Sequence, residues 1–122
     1  MRNTHTKCKT MTRTLNKCDK RFIAYNDVQW KYADVLEQNE EIVEIMCNVK
    51  LKGLEIGENY TSDFVCVKDN KELVVIETCY KKNLLKPLTC KMLDASREYW
   101  IKQGVKEFIL VVGEWYEYFR II

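Results

Sequence analysis

Two acidic residues carry the chemical interest of this chain. Asp63 lies in "YTSDF", Tyr60 to Phe64, and Glu77 follows fourteen residues later in "VVIETCYKK", Val74 to Lys82. In extended chain, residues two apart share a face, so Asp63 with Val65 and Glu77 with Cys79 can aim from neighbouring strands at one point. Two converging carboxylates make a hard, oxygen-rich site suited to Mg²⁺ or Mn²⁺. Such an ion polarises a phosphoryl oxygen and lowers the pKa of a bound water, which favours hydrolysis of a phosphodiester. A carboxylate inside "LVVIETC" is costly unless a metal or hydrogen bonds compensate it. The plainer reading keeps both residues as ordinary strand-end polar groups.

Metal-dependent nucleases that place their carboxylates in this way usually carry a lysine two residues after the glutamate. Here that position is Cys79. A thiol supplies no fixed positive charge, and its thiolate prefers soft metals; as a small apolar residue it suits a core. If the strand runs on, Lys81 shares the face of Glu77 and lies roughly 6–7 Å beyond Cys79. Its flexible stem can return an ammonium to the site, where it would stabilise charge on the phosphate. Lys82 points the other way, and both lysines can instead meet backbone phosphate.

The elements that must position these groups follow from pattern. Asn26 or Asp27 caps a helix running to Gln38 or Asn39, with Val28, Tyr32, Val35 and Leu36 as its apolar face. "EIVEIMCNVKLKGLEI" reads as one strand or two with a break near Gly53, and Gly57 to Asn59 as a turn. "YTSDFVCVK" and "ELVVIETCY" form an antiparallel hairpin about Asp69 to Lys71. Pro87 opens a second helix with Leu88, Met92, Ala95 and Tyr99 as its stripe, and Gly104 stops it. "EFILVV" is a buried strand and "WYEYFRII" an edge strand. The order α-β-β-β-α-β-β predicts an α/β fold: a central mixed β-sheet flanked by helices.

At 122 residues and 47% hydrophobic, the chain builds one domain with a real core and is not a disordered tail. No apolar run approaches the ~18 residues of a membrane span, and the N-terminus lacks the hydrophobic core of a signal peptide. A cytoplasmic protein with reduced thiols is expected. Six cysteines without a CxxC pair, and a lone His5, argue against disulfides and structural zinc. Residues 1–21 carry seven basic residues against Asp19, a sum of +6, so the remainder of this +2 chain sums to −4. This basic leader, with Arg13, Lys17, Lys20 and Arg21, can bind phosphates by charge or be a solvated, mobile terminus. A single domain over 22–122 follows it.

"DVQWKYADVLEQNEEIVEI", "YTSDFVCV", "VVIETCYKKNLLKP" and "LDASREYWIKQGV" resemble the TnsA-like endonuclease subunit of heteromeric transposases, within the restriction-endonuclease-like PD-(D/E)XK superfamily. The resemblance covers about residues 22–112, and "SREYW" with the following "GV" is its most specific part. It implies a restriction-endonuclease-like core and Mg²⁺- or Mn²⁺-dependent cleavage of double-stranded DNA at transposon ends. The implied partners are a transposase subunit and an ATPase regulator; no membrane is involved, and a homodimer is left open.

Carried over residue by residue, the resemblance makes Asp63 and Glu77 the metal ligands. Gln29 falls where many members have a helix glutamate, and Cys79 falls at the lysine. Gln29 can orient a metal-bound water, or be an exposed polar residue of the helix. "ETCYKK" resembles a subgroup whose basic residues come just after the motif, which points to Lys81 as a relocated cation. Ser96, Arg97 and Glu98 read as structural or interface groups. The family's C-terminal partner domain has no counterpart before Ile122, so partner contacts fall to the core or the leader. The leading expectation is a Mg²⁺-dependent endonuclease subunit using Asp63, Glu77, Lys81 and Gln29. The alternative keeps the fold without the chemistry, for DNA binding or complex assembly through the leader and Lys81, Lys82, Lys86 and Lys91. A regulatory protein unrelated to DNA is the third reading.

Overall fold

The computed structural model describes residues 2–3, 10–53, 60–113 and 117–120. In chain order it runs through short strands β1 (Arg2–Asn3), β2 (Met11–Arg13) and β3 (Phe22–Ala24), then helix α1 (Asp27–Gln38). Strands β4 (Ile42–Lys50), β5 (Tyr60–Lys68) and β6 (Leu73–Tyr80) follow. A 3₁₀ turn (Lys81–Leu85), helix α2 (Pro87–Lys102) and strands β7 (Glu107–Gly113) and β8 (Glu117–Arg120) complete it. The expected turn at 57–59 lies outside the described residues.

Local chemistry sets the boundaries. The Asn26 side chain accepts the Gln29 amide at 2.8 Å and starts α1. Lys71 takes a left-handed φ of 71° in the turn between β5 and β6. Pro87 begins α2, and Gly104, at φ 90°, supplies the left-handed residue beyond its end.

The sheet is mixed, as the element order predicts. β4, β5 and β6 form an antiparallel meander, β7 returns parallel to β6 through α2, and β8 closes antiparallel on β7. β1 pairs with the start of β5, and β2 with β3 makes a separate hairpin. One core lies under α1 and includes Phe22, Leu36, Phe64, Ile76 and Val111. A second lies under α2 around Tyr60, Val75, Trp100 and Phe108.

Two expectations change. Helix α2 is turned from the face its apolar spacing suggests, with Leu88 62% exposed while Ser96 and Trp100 are buried; α1 buries Val28 and Leu36 as expected, with Gln29 buried as well and Val35 51% exposed. Residues 10–21 are not a loose leader, because Leu15 and Cys18 are buried in the α1 core and β2 pairs with β3; Met1 and 4–9 lie outside the described residues. No helix among the described residues is long and apolar enough to cross a membrane.

Candidate functional site

The ladder between β5 and β6 stops at the Phe64↔Ile76 pair. Beyond it β6 stays with β7 as far as Tyr80↔Gly113, and Tyr60 and Thr61 of β5 pair with β1. Asp63 and Glu77, next in register, therefore stand where the two strands part. Both are wholly buried.

Side chains close the ladder that backbone groups leave open. The Asp63 amide donates to Glu77 Oε1 at 3.1 Å, and the Thr78 amide donates to Asp63 Oδ2 at 2.7 Å. Thr78 Oγ1 gives that oxygen a second bond at 2.6 Å. Glu77 Oε2 accepts from the Tyr60 hydroxyl at 2.6 Å, Ser96 Oγ at 2.7 Å and Ser62 Oγ at 3.0 Å. Trp100 Nε1 in turn donates to Ser62 Oγ at 2.9 Å. Hydrogen bonds to charged groups contribute about 1.5–3 kcal/mol each, which offsets the several kcal/mol that burying a carboxylate costs. Burial, followed by the Glu77 charge and hydrogen bond, holds the Tyr60 phenol well above its ordinary pKa, so it keeps its proton as a donor.

A switch of faces brings these donors together. Cys47 and Phe64 pack in the α1 core, whereas Val49 and Tyr60 pack in the α2 core. Plain alternation would keep each pair on one side, Cys47 with Val49 and Phe64 with Tyr60. Between them Asn48, opposite Asp63, takes a left-handed φ of 52°. Its amide holds both backbone groups of Ile23, at 3.0 and 2.9 Å. The reversal turns Ser62 toward α2, within reach of Ser96 and Trp100.

As arranged, the pair does not fit a hydrated Mg²⁺ or Mn²⁺. Such an ion keeps several of its waters and needs carboxylate oxygens open to them. Three of the four carboxylate oxygens already accept six protein donors with no exposure to solvent. Among the described residues, no group of three or more His, Cys, Asp or Glu is placed to hold a metal. A cavity of about 710 Å³ runs along β4, and another of about 210 Å³ lies beside α2; Asp63 and Glu77 line neither.

The other expected site residues scatter. Strand β6 ends at Tyr80, so Lys81 opens the 3₁₀ turn and is exposed instead of continuing the face of Glu77. The ion pairs among the described residues are Arg13–Asp34 and Lys68–Glu107, and Lys81 enters neither. Gln29 is wholly buried, not an exposed helix residue: its amide donates to the Ile23 carbonyl at 3.2 Å and accepts the Tyr25 amide at 2.9 Å. Cys79 is buried against Leu110 and Val112, and burial pushes its thiol up to about 11.

Lys82, Lys86, Lys91, Lys20 and Arg21 are exposed. Arg13 and Lys17 are half-buried and engaged within the fold. Arg13 pairs with Asp34 at 2.9 Å and lies 4.5 Å over the Trp30 ring. Lys17 Nζ donates to the Leu36 and Asn39 carbonyls and so caps the end of α1.

No protein-family model and no curated protein matches this chain. Its carboxylate joint thus has to be read from its own geometry. Sequence reasoning passed over Tyr60, Ser62, Thr78 and Asn48. A signal existed in the polar pair Thr61 and Ser62 before Asp63 and in an asparagine within a β-branched run.

Proposed function

We propose that this chain is a nuclease-fold subunit that binds DNA within a transposition complex and does not hydrolyse it. The observation that carries the reading is Glu77, a carboxylate held by four protein donors from β5 and α2. In that state it joins the parting strands to the helix, with Oε2 taken by three hydroxyls and Oε1 by the Asp63 amide. The order helix, antiparallel meander, crossover helix and parallel strand is compatible with the restriction-endonuclease-like core that the four resembling segments imply. Two of the four groups that such chemistry uses are replaced by buried residues, Gln29 held by hydrogen bonds to Ile23 and Tyr25 and Cys79 held by packing. Lys81, Lys82, Lys86 and Lys91, like Lys20 and Arg21, stay exposed as cations for backbone phosphate.

The endonuclease reading keeps one specific support, the adjacency of Asp63 and Glu77 in neighbouring strands. It requires Tyr60, Ser62, Ser96 and Thr78 to release both carboxylates. The deciding measurement is nicking of a transposon-end duplex in Mn²⁺, by the chain alone and with its transposase and ATPase partners. No cleavage beyond background is expected. Salt-dependent duplex binding is expected to persist, and Lys81→Gln with Lys82→Gln should lower the slope of log K against log salt by about 0.9 per lost contact. Mn²⁺-dependent nicking abolished by Asp63→Ala would establish the endonuclease instead.

A further inference from the structure

The cavity of about 710 Å³ along β4 falls within the roughly 300–1,000 Å³ of small-molecule sites, and neither acid of the carboxylate joint lines it. Its two walls are tied to each other. The Ile45 amide donates to the Lys17 carbonyl at 2.9 Å, and the Asn48 side chain holds both backbone groups of Ile23. Residues 18–25 therefore run beside β4. The space between them is lined by Ile23, Tyr25, Met46 and Val49, together with charged groups.

One polar group of this lining is unmet. Thr61 lines the cavity and is 5% exposed, and its Oγ1 has no hydrogen-bond partner among the described residues. A buried hydroxyl in that state is disfavoured and gains when a bound molecule brings an acceptor. Charge selects the acceptor. Lys50 lies directly across the ladder from Thr61, so the two share a face of the sheet, and Lys52 follows two residues on. The acids of the lining, Glu44 and Asp19, stand at the other end. Glu44 is roughly 20 Å back along β4 from Lys50, and the Lys17–Ile45 bond keeps Asp19 beside it. With Lys20 on the facing wall, the lining holds three lysines against two carboxylates, a sum of +1. A molecule with a negative group at one end only matches this asymmetry.

We propose that this cavity binds a small amphipathic anion. An aromatic ring or short alkyl chain lies against Ile23, Tyr25, Met46 and Val49, and a terminal carboxylate or phosphate meets Lys50 and Lys52 and accepts from Thr61 Oγ1. Inorganic phosphate forgoes the apolar walls and a neutral ring forgoes the cations, so each binds more weakly than a molecule that combines them. The site uses neither Asp63 nor Glu77, and it operates whether or not the chain also engages DNA.

Calorimetry and amide NMR of the whole chain with naphthyl phosphate, naphthoate, naphthol and inorganic phosphate test the proposal. One-to-one binding is expected for a naphthyl anion, about tenfold or more tighter than for naphthol or inorganic phosphate. Shift changes should gather in residues 18–25 and 44–52 and at Thr61, and the tighter of the two anions tells whether phosphate or carboxylate is the natural group. Lys50→Gln with Lys52→Gln should weaken that binding about tenfold; both lysines are exposed, so the variant is expected to fold. Thr61→Val keeps the shape and removes the hydroxyl. It should weaken the anion about fivefold while leaving the thermal midpoint of the free protein unchanged or higher, whereas a threonine with a structural role would lower it. Equal affinity for naphthol and the anions, shift changes elsewhere, or no saturable binding overturns the proposal. So do lysine variants that keep the naphthyl anion yet lose duplex DNA binding or a homodimer, which assigns the lysines to those occupants.

Discussion

Gln29 shows why a residue's position in a motif does not decide its role. The resemblance places it at a metal-site glutamate, but its amide is used twice, as donor to Ile23 and as acceptor from Tyr25. A glutamate here would accept from Tyr25 but set a second oxygen against the Ile23 carbonyl. Gln29→Glu is therefore expected to lower stability by about 1–3 kcal/mol, the cost of an unmet buried group, read as a fall in the urea midpoint. An unchanged midpoint would remove the Ile23 bond from the account. The pairing of Asp63 with Glu77 was legible from strand alternation. The donors that saturate Glu77 were not, because Tyr60, Ser62 and Ser96 lie 17, 15 and 19 residues away and look like any other polar residues in the sequence. Nothing local marks a serine as the partner of a buried carboxylate.

At the scale of elements, each helix is held by contacts that apolar spacing does not contain. Helix α2 turns Ser96 and Trp100 inward because Glu77 and Ser62 wait there as partners, and Leu88 is left outside. Helix α1 is clasped from 10–21: Arg13 binds Asp34 and the Trp30 carbonyl, while Lys17 caps the helix end. A leader that reads as a phosphate-binding tail is thus partly a clamp. Against the sheet, α1 comes so close that a Cβ on Gly113 would collide with Val28 Cγ2. Gly113→Ala is expected to cost about 1–3 kcal/mol as overpacking, seen as a lower thermal midpoint. Full retention of stability would mean that α1 shifts freely, contrary to the packing of Val28 in the core.

For the whole molecule, alkaline pH tests how completely the thiols are buried. Burial raises Cys66 to about 12 and Cys79 to about 11 from 9.0, and raises Cys47 further in the same direction. Between those values and the unfolded thiol pKa, the native state keeps protons that the unfolded chain gives up. Stability is then fully present below about pH 9 and falls as pH rises through 11 and beyond. Urea midpoints should drop between pH 8 and pH 10.5, and Cys79→Ala should be less stable at pH 8 yet show a shallower decline. A decline of equal slope in that variant would mean that other groups govern it. The same burial makes Cys79 a poor stand-in for a catalytic cation.

Periodicity, turn residues and the proline that opens α2 were enough to determine the order of helices and main strands from α1 onward, the mixed sheet and the neighbouring places of Asp63 and Glu77, but not the three short strands before α1. These are short-range effects, written in spacing of two or of three to four residues and in backbone angles that few side chains adopt. The tertiary structure alone decided that β5 and β6 part at those acids, that Asn48 reverses the strand faces beside them, and that hydroxyls from two strands' ends and a helix fill the gap. Such contacts join residues far apart in the chain, and their strength depends on burial. A carboxylate in water would bond to water, whereas the same carboxylate enclosed by the fold must be met by the protein itself.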